Sequence, residues 1–127
     1  MNAKNKPRYV LIMEENSAHA ELLTEVLDRH FAPVIIHTVD SMEDGLKFLS
    51  ETPYRPILTD SIIGKKSIAE GLKKIRGKQK NIPVIVITGQ GDESLAVKLT
   101  KIGATEYLVK TRETLEALPH VLEKYLK

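Results

Sequence analysis

Pro56-Ile57-Leu58-Thr59-Asp60 is a short apolar run that does not alternate and that ends in a carboxylate. A strand covered by helices on both faces needs no polar alternate positions, so such a run suits the centre of a parallel sheet. Sheets of that kind bind ligands at the carboxyl ends of their strands, near the point where strand order reverses. Asp60 is expected at that edge, as the reactive group of the chain.

The rest of the chain supplies four more runs of the same sort. Tyr9 to Met13 is apolar and stops at Glu14-Glu15-Asn16. Val34 to Val39 is β-branched and follows Pro33. Ile82 to Thr88 is the clearest strand, closed by Gly89-Gln90-Gly91, and Tyr107-Leu108-Val109 is a short one that runs into Lys110. Between them apolar residues recur at helical spacing. Leu22, Leu23, Val26 and Leu27 mark a helix with Ser17 as its cap. Met42, Leu46 and Leu49 mark one capped by Ser41. Ile68, Leu72 and Ile75 mark a third, stopped near Gly77. Leu95, Leu99 and Ile102 mark a fourth, capped by Asp92 and closed by Gly103. Proline cannot sit deep in a helix, so the last helix is expected to start near Pro119, with Thr111 to Leu118 an irregular turn. Ser61 to Lys66 is expected to be a loop.

Alternation of strand and helix with short connections predicts an α/β domain, a parallel sheet with right-handed crossovers and helices on both faces. The 127 residues are read as a single domain, with residues 1–8 a loose N-terminal leader. The tail is the natural place for another domain to join in a longer parent chain. No apolar run approaches the roughly 18 residues of a membrane span. The start is polar and basic, unlike a signal peptide, so a cytoplasmic location is expected. A net charge of +2 is far from the footprint of a nucleic-acid binder. Without cysteine there is neither a disulfide nor a thiolate metal site.

Strand ends in a parallel sheet share one edge, so Glu14, Glu15, Asp60, Thr88 and Lys110 are expected to converge. Carboxylates gathered this way need a cation, and a hard ion such as Mg2+ suits oxygen ligands. Lys110 adds a point charge and Thr88 a hydroxyl donor. A carboxylate so placed can form an aspartyl phosphate, and phosphoryl transfer asks for positioning and charge neutralisation above all.

The order Glu14-Glu15, Asp60, Thr88, Lys110, with Tyr107 before the lysine, resembles the receiver domain of two-component response regulators. Ile82 to Gly89 and Gly103 to Lys110 are similar to that family's fourth and fifth strand motifs. The resemblance runs from about Tyr9 to the C-terminus. It implies a flavodoxin-like, doubly wound (βα)5 fold with a five-stranded parallel sheet in the order 2-1-3-4-5. It implies that Asp60 accepts phosphate from a histidine kinase or phosphotransfer protein with Mg2+ bound. Glu14, Glu15, Asp60 and the backbone carbonyl of Ile62 match the metal site. Thr88 and Tyr107 match the switch pair, and Lys110 matches the phosphate-binding lysine. The chain would then be no enzyme beyond phosphorylating and dephosphorylating its own aspartate. Its partners would be the kinase and an output or kinase module, with neither nucleic acid nor membrane bound directly. Departures from the family pattern are the double glutamate, Thr111 after the lysine, and Gly64 and Ser67-Ile68 in the loop after Asp60. These support an alternative, a phosphorylation-independent interaction module on the same fold. A flavin domain ranks last, since Glu14-Glu15-Asn16 offers like charges to a phosphate.

Overall fold

The computed structural model describes residues 7–89 and 91–126. Its elements in chain order are β1 (Arg8–Met13), α1 (Ser17–Phe31), β2 (Val34–Val39), α2 (Met42–Glu51), β3 (Ile57–Thr59), β4 (Ile62–Ile63), β5 (Lys66–Ser67), α3 (Ala69–Lys78), β6 (Val84–Thr88), α4 (Glu93–Ile102), β7 (Glu106–Val109) and α5 (Arg112–Leu126). Five strands form one parallel sheet in the order β2-β1-β3-β6-β7. With β4 and β5 set apart as a separate two-stranded ribbon, this is the expected order.

The apolar runs do not alternate because both faces of the sheet are covered. Leu11, Met13, Ile57, Val84 and Val86 pack on one side with Leu49, Leu72, Ile75 and Leu99 from α2, α3 and α4. Val10, Ile12, Leu58, Ile85 and Ile87 pack on the other with Leu23, Leu27 and Phe31 of α1 and Leu118, Leu122 and Leu126 of α5. Successive residues of a strand point to opposite faces, so each apolar residue has a core to enter.

Four expectations need correction. Asn16, rather than Ser17, caps α1, its side chain accepting from the His19 amide at 3.1 Å. Arg8, expected in the leader, belongs to β1; residues 1–6 lie outside the described residues, as does Gln90 in the expected terminator of β6. The segment after Asp60 is a β-hairpin instead of a loop. Ile63 pairs with Lys66 across a two-residue turn, with Gly64 and Lys65 at φ 63° and 65°. Two successive positive φ values are the mark of the hairpin turn that matches strand twist.

The fourth correction concerns α5, which runs through Pro119 from Arg112. Thr111 caps it, taking the Thr114 amide at 3.0 Å. An interior proline costs about 3 kcal/mol. Leu118, Leu122 and Leu126 are at most 1% exposed. Burying three such side chains contributes roughly 2 kcal/mol each, which outweighs the proline.

Near the end of α5, Tyr125 donates to Glu106 Oε2 at 2.5 Å, with Lys124 Nζ 3.3 Å from the same oxygen. Burial, then the bond to Glu106 and its charge, push the Tyr125 hydroxyl up to about 12. Its folded pKa lies above its unfolded one, so this contribution to stability is complete below about pH 10 and is lost as pH rises towards 12. The thermal midpoint should therefore fall between pH 10 and 12, and Tyr125→Phe should make that fall shallower. An equal fall in both proteins would show that the hydroxyl is not held this way.

Candidate functional site

The carboxyl edge of the sheet assembles the site. Glu14 follows β1, and its amide donates to Val39 O at 2.9 Å, which extends the ladder with β2 by one residue. The residue is buried, 4% exposed, an uncommon place for a carboxylate. The compensation comes from Lys110 Nζ, which sits 2.6 Å from Glu14 Oε1. Lys110 is carried there because its amide donates to Thr88 O at 2.7 Å, just past β7. The same ammonium lies 2.9 Å from His19 Nδ1 and 3.8 Å from Asp60 Oδ2. An ammonium has no lone pair, so the imidazole nitrogen is the acceptor in that contact.

Asp60 is fixed through its amide, which donates to Met13 O at 3.1 Å. Its Oδ1 accepts the Ser61 amide at 2.6 Å, leaving Oδ2 towards Lys110. The side chain is 21% exposed, so a reactant can reach it. Beside it Ser61 and Thr88 form a buried pair of hydroxyls, 2.8 Å apart. Tyr107 is half-buried in β7 and packs against the core on the α2–α3–α4 side of the sheet.

Glu14, Asp60 and Lys110 thus come together as the sequence predicts, and Thr88 stands next to them through Ser61. Glu15 is not brought into the cluster. Its Oε1 accepts the Gly64 amide at 2.7 Å, which ties the β4–β5 turn to the start of α1. No group of three or more His, Cys, Asp or Glu side chains that could hold a metal occurs among the described residues. What remains suits a hard ion by donor type: carboxylates of Glu14 and Asp60 and the carbonyl of Ile62. Ile63 and Lys66 flank the turn, and the Ile68 amide donates to Ser61 O at 3.0 Å. Bonded and non-bonded pairs alternate in an antiparallel ladder, so the intervening Ile62 turns its carbonyl away from the partner strand. Mg2+ binds through one or two carboxylates and keeps several waters; of these two, Glu14 is already engaged, its Oε1 by Lys110 and its Oε2 by the Asn16 amide at 3.2 Å.

Two participants escape sequence reasoning. His19 looks like one of four scattered histidines. Its place depends on the Asn16 cap, which sets the phase of the first turn of α1. Ser61 looks like a turn residue beside an aspartate, and nothing local points to Thr88, 27 residues on.

Fold and site together define a doubly wound α/β domain with an aspartate, a buried acid and a lysine at its ligand-binding edge. A family model for the response regulator receiver domain matches residues 10–122, and the chain belongs to that family. It is 27% identical to the methanogenesis regulatory protein FilR1 of Methanothrix harundinacea, over 92% of this chain and 27% of that protein. It is 30% identical to the response regulator Rcp1 of Synechocystis, over 85% of this chain and 80% of that protein. The Mn2+-bound crystal form of Rcp1 superposes with a TM-score of 0.80 at 25% identity, covering 93% of each chain. The phosphorylated cyanobacterial phytochrome response regulator RcpA gives 0.86 at 21% identity over 96% of each, a likeness of fold. The chain spans between 8% and 58% of the length of the first three curated relatives it matches. No described helix is long and apolar enough to cross a membrane.

Proposed function

We propose that the chain is the phosphoacceptor of a two-component phosphorelay in the cytoplasm. Asp60 Oδ2 attacks the phosphorus of a phosphohistidine on a histidine kinase or phosphotransfer protein. An O–P bond forms on Asp60, and the N–P bond breaks towards the histidine. The observation that carries this reading is the 3.8 Å approach of Lys110 Nζ to the one Asp60 oxygen not held by Ser61. Lys110 holds the attacking carboxylate at the mouth of the site and neutralises charge gathering on the phosphoryl oxygens. Glu14 in turn fixes Lys110. Mg2+ would be held by Glu14, Asp60 and the Ile62 carbonyl, with Glu15 on the rim, and would supply further charge neutralisation. Thr88 and Tyr107 would pass the event to the face formed by α4, β7 and α5, and so to an output or kinase module. The chain acts on no substrate but its own aspartyl phosphate.

A second reading is a phosphorylation-independent module. It is favoured by the acids already being engaged, Glu14 with Lys110 and Glu15 with Gly64. A beryllofluoride titration with Mg2+, followed through the amide signals of Ser61, Thr88, Tyr107 and Lys110, separates the two. The phosphoacceptor reading predicts saturable shifts at low-millimolar Mg2+. Unchanged signals at all four residues support the second reading.

A further inference from the structure

We infer that Ser61 is a positioning residue that latches the Thr88 hydroxyl in the unphosphorylated chain and so sets how readily the switch is thrown. This inference rests on the phosphoacceptor reading above. Ser61 has no exposed surface, and its hydroxyl donates to Thr88 Oγ1 at 2.8 Å. That is the one hydrogen bond its side chain makes among the described residues.

The backbone of Ser61 is held from two directions. Its amide donates to Asp60 Oδ1 at 2.6 Å, and its carbonyl accepts the Ile68 amide at 3.0 Å, at the base of the hairpin. The Ser61 backbone therefore stays in place when the Thr88 hydroxyl turns to a phosphoryl group on Asp60, and the Ser61 side chain can answer only by rotating about χ1. Its own hydroxyl would be left without a partner in a place that water does not reach. A buried donor left unmade is more costly than the same bond is worth when formed. The penalty falls on the active arrangement alone, because the resting arrangement satisfies the pair. A ligand can move such a two-state equilibrium only by its differential affinity, so the latch is subtracted from whatever the phosphoryl group supplies. Loss of one such hydroxyl bond corresponds to a shift on the order of tenfold in the equilibrium. The same residue thus touches both ends of the switch, the phosphoacceptor carboxylate through its amide and the threonine through its hydroxyl.

Ser61→Ala removes the hydroxyl and little volume. Two readouts follow in the full chain. The first needs no ligand: Thr88 χ1 populations, from three-bond couplings to its methyl carbon. The Thr88 rotamer populations of Ser61→Ala are expected to shift measurably from those of the parent. The second is beryllofluoride affinity at fixed Mg2+, expected to rise roughly tenfold in Ser61→Ala and to return towards the parent value in Ser61→Thr. A merely structural serine would lower the thermal midpoint and leave the affinity unchanged or weaker. An unchanged rotamer distribution, or an affinity that does not rise, overturns the latch. Failure of the parent itself to bind beryllofluoride removes the phosphoacceptor reading instead, and the rotamer populations then decide the latch by themselves.

Discussion

Lys110→Ala is expected to lower the free energy of unfolding by about 3 kcal/mol, a loss large for a residue at a sheet edge. The reason is the carboxylate left behind. Glu14 and Lys110 have side chains only 3% and 9% exposed, and their charged atoms meet at 2.6 Å. Surface ion pairs contribute about 0–1 kcal/mol, but breaking a buried pair leaves one charge desolvated and unmatched. His19 does not fill the gap, since its Nδ1 is 3.9 Å from Glu14 Oε1 and its ring is partly in solvent. The double variant Glu14→Gln with Lys110→Met should recover most of the stability, because neither charge is then stranded. Urea unfolding of Lys110→Ala, of Glu14→Gln and Lys110→Met singly, and of the double variant measures this directly. A Lys110→Ala loss of well under 1 kcal/mol, the range of exposed pairs, would mean that water already solvates the pair.

Arg76→Ala is the second large effect expected, again about 3 kcal/mol, or a thermal midpoint lower by roughly 10 °C for a domain of this size. Arg76 sits in the last turn of α3, and its guanidinium is turned inward. Nε and Nη2 donate to Gly103 O at 2.9 and 2.6 Å. Nη1 reaches Ile82 O at 2.6 Å and Gln79 O at 3.1 Å. One side chain therefore closes the end of α3, the approach to β6 and the end of α4. Burial pulls its pKa below the ordinary arginine value, although the group stays charged in this setting. Truncation strands several carbonyls at once. Arg76→Lys should restore little, because a point charge cannot span carbonyls that the planar fork reaches together. Equal stability of the lysine variant and the parent in thermal unfolding would show that charge alone suffices.

Such effects indicate where the sequence is legible. The five apolar runs announce the sheet because both its faces are buried, so the pattern is unbroken by polar alternation. The strand ends then follow from topology, and Glu14, Asp60 and Lys110 meet. Short-range features carry weaker signals. The β4–β5 hairpin has two-residue strands, and Lys65 takes a left-handed conformation that glycine more often occupies. Pro119 argues locally against a helix, and only the three buried leucines of α5 overrule it. Arg76 belongs to a stretch rich in lysines that reads as a solvated face, and its inward turn depends on carbonyls contributed by two other elements. Glu15 and Ser61 have partners far along the chain, and no spacing encodes them.

The central claim is that Asp60 carries the phosphoryl group, and chemical labelling tests it with the least inference. The chain is incubated with acetyl phosphate and Mg2+, digested under mildly acidic conditions, and its peptides are mapped by mass spectrometry, with Asp60→Asn in parallel. A phosphoryl group on the peptide containing Asp60, absent without Mg2+ and absent from Asp60→Asn, is the predicted result. Label on another peptide, or label that survives Asp60→Asn, would contradict the account.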